Sequence, residues 1–515
     1  MECAYYFASL NGIVLEGRPR YRRRYRGRTG DCNMLTLAEL ENWRASLLGD
    51  LVMPGHERYE RATRVDNGRI QQFPSFVVFP RSVADVVFTV RAAKAAGVAL
   101  HAKAGGHSYA GYSLHNGGVL LDLSAMKLIS FDHKETITVE MGALWSDVYR
   151  FLQDAGTDKI PVGGACTAVG VAGFVLGGGY SFVSRSYGLA CDSLVSATIV
   201  TADGAVRHVS ADSPSGEERD LFWACQGGGG GNFGVVVQMQ LRVHRPRSAK
   251  LFAGTLIYRL EDAVDLLAFY NEWSQSLPDE MAVYGYLGHI PDPCCPERLI
   301  GILRFQPVYN GEFTAGLEMI RPLLERRPLA TELYNLSLPD YLKIVGATTA
   351  FAGRCSYTRS GIMEHGGFSP DFTRLCLAGM QAAPSRESFM LWMHQGGQAK
   401  TVLSNATAYP HRHADYVFEL AAVWTGEQST RANVEWAFQT GQAMSPHFSG
   451  AYVNYIDPLQ PDWASQYYGS NYTRLLEIKR RSDPDGFFAF QQGIGSAHAP
   501  GASAPLCLDP LFRTK

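Results

Sequence analysis

The spacing of hydrophobic and polar positions divides the chain into three stretches of different rhythm. From Phe76 to Val243 short apolar runs alternate with segments of helical period. Phe76–Phe79 reads as a short strand. Ser82–Gly97 carries Val83, Val86, Val87, Val90 and Ala93 at helical spacing, with Ser82 placed to cap the start and Gly97 to stop the end. Val98–Ala102, Val119–Leu123 and Ile137–Met141 read as further strands, and Leu144–Asp154 as a helix. Leu194–Val200 and Ala205–Val209 flank the turn Ala202-Asp203-Gly204, a hairpin pattern. A short helix beginning at Asp220 opens onto five glycines, Gly227 to Gly231, and Val235–Val243 follows as a strand.

From about Lys250 to Thr440 longer strands and amphipathic helices take turns. The strands are Leu251–Tyr258, Met281–Ile290 and Leu299–Phe305; the helices are Glu261–Ser274 and a segment around Phe313–Leu324. That order predicts an antiparallel sheet backed by helices on one face, and an α+β fold class for the chain. Arg326-Arg327-Pro328 and Gly366–Pro370 read as loops. A last helix runs through Arg474-Leu475 and Ile478-Lys479 and ends at Asp483-Pro484.

Composition narrows the function classes. With 47 Lys and Arg against 49 Asp and Glu, nothing global points to nucleic acid or to an anionic membrane surface. No apolar run approaches the ~20 residues of a spanning helix. The basic stretch Arg18–Arg28, with its interleaved tyrosines, reads as a solvated leader, because one short arm supplies few phosphate contacts. Ten cysteines, including the adjacent Cys294-Cys295, lack the spacing of a zinc site or the density of a disulfide scaffold. Met1–Gly17 has no basic n-region and no clean apolar h-region, which favours an intracellular location over secretion. The sequons at Asn335, Asn405 and Asn471 matter only in a secreted chain.

Candidate chemistry sits in two glycine-rich loops, Gly105-Gly106-His107-Ser108-Tyr109 and Gly163-Gly164-Ala165-Cys166. Glycines let backbone N–H groups close in on a pyrophosphate. Histidine and cysteine are the side chains best suited to bonding a flavin ring. Taken singly, each has a bland reading: a loop histidine, and a small core cysteine. Taken in order, with Lys103 upstream and Gly177-Gly178-Gly179-Tyr180 downstream, the segments resemble the flavin-attachment signature of the berberine-bridge-enzyme-like oxidases. These belong to the larger vanillyl-alcohol-oxidase group of PCMH-type FAD proteins.

The aromatic-rich stretch Tyr452-Val453-Asn454-Tyr455-Ile456-Asp457, with Trp463, Tyr467-Tyr468-Gly469 and Asn471-Tyr472, resembles the C-terminal module of the same family. Thr407-Ala408-Tyr409-Pro410-His411-Arg412 belongs to that resemblance too. The middle of the chain agrees only in pattern. Gly229-x-Gly231-x-x-Gly234 matches a dinucleotide fingerprint in letters alone, because it follows a helix and opens a strand where a Rossmann loop does the reverse.

The resemblance implies a two-lobed arrangement: a basic leader at 1–35, a PCMH-type FAD-binding domain at 36–246 and a substrate-binding domain at 247–450. A C-terminal module at 451–496 returns to the FAD domain, and 497–515 is a surface tail. It implies FAD held bicovalently, through His107 and Cys166. Lys103, Ala104, Gly105, Gly106, Ser108, Tyr109, Val169, Gly170, Gly178, Gly179, Tyr180 and Asn454 complete the cofactor site. Asn454 is the more structural of these. The family's usual base is the tyrosine of Asn-Tyr-x-Asp, here Tyr455. Its phenol, ordinarily near pKa 10, would have to fall by ~2 to 3 units to act near pH 7 to 8.

Two departures shape the substrate expectation. Carbohydrate oxidases of the family carry an acid three positions before a Gly-Gly pair; here that position is Met393, ahead of Gly396-Gly397 and beside Gln395. A methionine favours an apolar ligand, so Met393 and Gln395 are expected to line a pocket for a phenolic, polyketide or alkaloid-like molecule. Phe174 stands where relatives have a histidine. Val169 matches the small residue that the family's oxidases carry at the oxygen-access position, which points to O2 as acceptor. The expected partners are therefore a small molecule and O2, with no nucleic acid and no membrane. The reading is an FAD-dependent oxidase of secondary metabolism: alcohol oxidation, desaturation or oxidative cyclisation, by proton abstraction and hydride transfer. The alternatives are an oligosaccharide or hexose oxidase, and a flavin-binding protein without turnover.

Overall fold

The protein is described by a computed structural model covering residues 35–292, 295–345, 353–364 and 366–496. The basic leader and the C-terminal tail lie outside the described residues, as does Cys294. Three sheets carry the chain. The first contains β1 (Asp50–Val52), β2 (Phe76–Phe79), β3 (Leu100–Lys103) and β4 (Val119–Asp122) in the order β1-β2-β4-β3. β2, β4 and β3 run parallel, β2 and β3 being joined by a crossover helix, and β1 is antiparallel at the edge.

The crossover helix, Val83–Ala95, follows its apolar period: Val86, Val90 and Ala93 are buried against the sheet cluster. Ser82 accepts a hydrogen bond from the Asp85 N–H at 3.2 Å, and Gly97 ends the helix with φ +64°. Asp85 itself accepts backbone N–H bonds from Leu48, Gly49 and Arg81. Ser82→Ala removes only the cap, and is expected to lower stability by about 1 kcal/mol in chemical denaturation, without changing flavin content.

The second sheet holds β5 (Ile129–Phe131), β6 (Thr136–Glu140), β7 (Leu194–Val200), β8 (Val206–Ser210) and β9 (Val235–Arg242), all antiparallel in the order β5-β6-β9-β7-β8. The hairpin β7–β8 turns at Gly204, whose φ of +72° a side chain would resist. The five glycines follow the helix Gly216–Cys225 and lead into β9, so the dinucleotide-like letters open a strand.

The third sheet is the largest: β10 (Leu251–Arg259), β11 (Met281–Asp292), β12 (Cys295–Tyr309), β13 (Ala330–Leu336), β14 (Cys355–Met363), β15 (Phe389–His394) and β16 (Tyr416–Trp424). Its order is β13-β10-β12-β11-β15-β16-β14, with every pair antiparallel. The strand period of two sorts its side chains. Leu303, Phe305, Met390, Trp392, Phe418 and Leu420 join one core with Leu266, Leu267 and Val434 of the backing helices. Their alternates, among them Tyr284, Met393 and Glu419, face the other way into a cleft. The helices Ala263–Trp273, Pro370–Ala382 and Thr430–Met444 pack in sequence on the first face, as the pattern predicts.

The segment expected as one helix around Phe313–Leu324 is two, Phe313–Met319 and Arg321–Leu324. Pro322 explains the break, since in a continuous helix its ring would clash with the carbonyl of Glu318 and it offers no N–H. The C-terminal helix Tyr472–Ser482 packs on the helix Gly216–Cys225. Lys479 Nζ donates to the backbone oxygens of Asn232 and Phe488, at 2.6 and 2.7 Å, and pairs with Asp483 at 2.6 Å. The end of the chain is thereby tied to the glycine-rich loop. Among the sequons, Asn471 is ruled out as a glycan acceptor, because its buried Nδ2 donates to the carbonyls of Ser404 and Thr407.

Candidate active site

One cleft of about 690 Å³ runs between the first two sheets and the inner face of the third. Its floor begins where β3 delivers the loop Ala104–Tyr109. Gly106 takes φ +73°, and Gly105 lies against Gly170 so closely that a Cβ on Gly105 would come 2.5 Å from the Gly170 nitrogen. That backbone contact brings the His107 loop and the segment after Cys166 to one place, and both side chains line the cleft. Cys166 is half-buried.

His107 Nδ1 lies 3.6 Å from Asp66 Oδ2. Burial pushes the imidazole pKa down, with the Asp66 charge opposing it, so the ring is held neutral near pH 7. The backbone N–H groups of Ala104, Gly105, Gly106, His107 and Ser108 donate to no acceptor among the described residues. A row of unclaimed donors beside glycines that admit close approach is what a pyrophosphate requires, so the loop fits FAD. Ala104, Gly105, Gly106, Ser108, Tyr109, Val169, Gly170, Tyr180 and Asn454 all line this cleft.

Four sequence-assigned residues sit elsewhere. Lys103 points away from the cleft: its Nζ pairs with Asp122 at 2.8 Å and donates to the Ala62 carbonyl at 2.7 Å, so it joins the first sheet to the helix Glu57–Ala62. Gly178 and Gly179 pack under Tyr409, Ala190 and Phe174 instead of under the cofactor cleft; their positive φ, +115° and +82°, serves the turn. Gln395 is also displaced from the substrate pocket. The alternation of β15 sends Met393 into the cleft, whereas Gln395, beyond the strand end, is buried beside Arg185, which donates to its carbonyl.

Asn454 has a positioning role. Its Nδ2 donates to the Phe174 carbonyl at 3.0 Å and to the Tyr452 hydroxyl at 2.9 Å, and its side chain occupies the space a Cβ on Gly177 would need. Phe174 meets the Trp145 ring edge-on at 5.3 Å. Arg412 of the Thr407–Arg412 segment donates to both carboxylate oxygens of Asp192 at 2.8 Å, a structural clamp.

The cleft contains a residue the sequence reading passed over. Glu419 of β16 is 2 % exposed and faces the cleft between the phenols of Tyr109 and Tyr455. Desolvation pushes its carboxyl up to about 7, against the hydrogen bonds from the two tyrosines. Its Oε1 is buried with no partner among the described residues. Tyr455 lies on the turn Val453–Tyr455, with its ring 5.3 Å from Tyr109 and its hydroxyl 3.8 Å from Met393 Sδ. Burial, and then the Glu419 charge, hold the Tyr455 pKa well above the usual phenol value. The shift at Tyr455 thus runs opposite to the one a tyrosine base needs, while the carboxyl of Glu419 lies near neutral pH. The readable signal was a single carboxylate in the otherwise apolar nine-residue strand Tyr416–Trp424.

Residues 74–210 match the FAD binding domain family, and residues 451–495 match the berberine and berberine-like family. The chain is 28% identical over 454 residues to the FAD-linked oxidoreductase YvdP of Bacillus subtilis, covering 87% of this chain and 98% of that one. It is 27% identical over 453 residues to glucooligosaccharide oxidase of Sarocladium strictum, covering 82% and 87%. Among solved structures, BBE-like 1 of Physcomitrella patens aligns with a TM-score of 0.79 at 25% identity, covering 88% of this chain and 98% of that one.

Proposed function

This chain belongs to the berberine-bridge-enzyme-like FAD-linked oxidoreductases, and from that premise we propose that it is an O2-using oxidase of a largely apolar small molecule. In it the Glu419–Tyr455 pair removes the substrate proton. The observation that carries the reading is the buried carboxyl of Glu419, with its pKa near 7, set between two phenols in the cleft. Bound FAD, held by His107, Cys166 and the donors of the Ala104–Ser108 loop, supplies the two-electron acceptor.

The chain's own contribution is proton handling and shape. Tyr455, protonated, offers its hydroxyl to the substrate oxygen and its proton to Glu419, so that the substrate proton enters at Tyr455 Oη and the carboxylate takes up the displaced one. A base with a pKa near the working pH combines a large ionised fraction with adequate proton affinity. Met393, Leu391 and Phe389 line the approach and favour an apolar substrate body. Val169 at the cleft supports the lean to O2.

The oligosaccharide oxidase reading gains one observation: Glu419 supplies an acid within the pocket that Met393 does not. The apolar lining weighs on the other side. Oxygen uptake on a panel of benzylic and allylic alcohols against cellobiose and maltotriose decides between them. Turnover confined to the sugars would overturn the apolar-substrate reading.

The pH dependence has a definite sign. Glu419 must be ionised to accept a proton, so kcat/KM is expected to rise through pH 7 and level off above pH 8, with one ionisation on the acid limb. A profile that is flat between pH 5.5 and 8.5 would remove Glu419 from the proton path.

A further inference from the structure

One transverse row of the third sheet carries a second charged group. In the pairing register Arg304 of β12 stands opposite Tyr286 of β11, Tyr286 opposite Leu391 of β15, and Leu391 opposite Glu419 of β16. Directly opposed residues of antiparallel strands point to the same face, and all four line the cleft. Three strand spacings separate the ends of the row, roughly 14 Å at the backbone. One end is the buried carboxyl; the other is a guanidinium.

Between them the surface is apolar. The Tyr286 ring stacks on Phe389 with centroids 5.4 Å apart, and Leu391 fills the step to Glu419.

Arg304 has no carboxylate partner among the described residues. Its guanidinium lies over the Tyr286 ring at 4.3 Å, and its Nε is buried without an acceptor. Burial pushes its pKa down, and only the phenols of Tyr286 and Tyr341 oppose the shift. Beside it along the cleft, Arg386 Nη1 donates to His289 Nε2 at 3.2 Å. That bond puts the imidazole proton on Nδ1, which is buried and also without a partner. Glu387, which also lines the cleft, is already paired with Arg354 at 2.8 Å. A desolvated cation with no counter-ion is costly to maintain, and a ligand anion would remove that cost.

Resting on the assignment of Glu419 to the reacting end, we propose that the substrate is an elongated, largely aromatic carboxylic acid. Its carboxylate is bound by Arg304, with Arg386 and the His289 Nδ1–H beside it, and its oxidisable carbon lies at the opposite end of the row. Arg304 is thereby a specificity-determining residue, and the row sets the distance between the two functional ends of the substrate.

The test uses the flavin-loaded full chain and two rigid probes, 4′-(hydroxymethyl)biphenyl-4-carboxylate and its methyl ester. Affinity is read under anaerobic conditions from the perturbation of the visible flavin spectrum, and turnover separately from oxygen uptake. The acid is expected to bind about tenfold more tightly than the ester, the scale of a charge-assisted contact. Arg304→Met is expected to weaken the acid about tenfold more than it weakens the ester. Arg386→Met, at an exposed position, serves if Arg304→Met fails to fold, and should narrow the preference severalfold.

Equal affinities in the wild type, equal weakening of both probes by the variants, or no binding of the acid at millimolar concentration would overturn the proposal. The two levels of the argument separate cleanly. Turnover of both probes without preference sinks the anion site and leaves the oxidase reading. A strong binding preference without turnover keeps the anion site and sinks Glu419 as the base.

Discussion

Glu419→Gln is expected to lower kcat/KM by about two to four orders of magnitude on any substrate the enzyme turns over, the range spanned by a positioned general base. At 1.36 kcal/mol per factor of ten this corresponds to roughly 3 to 5 kcal/mol of lost transition-state stabilisation. Glutamine matches the size of the glutamate and still offers an oxygen to Tyr109 and Tyr455, so packing in β16 and the placement of both phenols should survive. What it cannot do is take up a proton. The acid limb of the pH profile should vanish with the activity, and the flavin spectrum and thermal midpoint should stay near those of the wild type. Tyr455→Phe provides the contrast. If Tyr455 passes the proton on, its loss lowers activity but leaves an acid limb near pH 7, because Glu419 still titrates. A Glu419→Gln enzyme within threefold of wild type, with its acid limb intact, would return the base to another group.

The difference between the sequence reading and the structure at this site has a physical cause. Tyr455 was legible because it stands in a dense motif, and it does line the cleft. A phenol's proton affinity, however, depends on what surrounds it in space. Here burial raises the phenol's pKa first, and a carboxyl from a strand 36 positions earlier in the chain raises it further. Sequence spacing holds no record of that pairing, since β16 meets the turn Val453–Tyr455 only through the tertiary fold. Glu419 left one trace, a lone acid in an apolar strand, and such an acid is expensive to bury without a purpose or a partner.

Lys103 shows the converse. Its place next to the His107 loop suggested a cofactor contact, yet the strand alternation of β3 sends it to Asp122 on the parallel neighbour β4. Elements with strong local signals were read well. The helix Val83–Ala95 has its cap, period and stop written in sequence, and Phe76–Phe79 and Leu194–Val200 are apolar runs bounded as predicted. β12 runs from Cys295 to Tyr309, well beyond the expected Leu299–Phe305. Its inward Arg304 and Gln306 break the apolar alternation because they face the cleft instead of a hydrophobic core. The residues that obscured the strand are the ones that give the pocket its character.

The flavin bonds are the second large expectation. Wild-type protein precipitated with acid should keep its yellow colour in the pellet, and its intact mass should exceed that of the polypeptide by one FAD. Two features of the site support a double attachment. The contact of Gly105 with Gly170 holds the two loops together, so His107 and Cys166 face one cleft without a conformational change. Burial also keeps the His107 imidazole neutral, and only the free base has a lone pair available for bonding to carbon. Asp66, 3.6 Å from Nδ1, orients the ring without a pull strong enough to reverse that shift. His107→Ala and Cys166→Ala should each retain colour in the pellet through the remaining bond, and the double variant should release all of it to the supernatant. Release by one single variant but not the other would mean a single attachment, at the residue whose removal frees the flavin. Complete release from the wild type would leave the loop as a dissociable cradle, with the unclaimed N–H donors of Ala104–Ser108 carrying the binding alone.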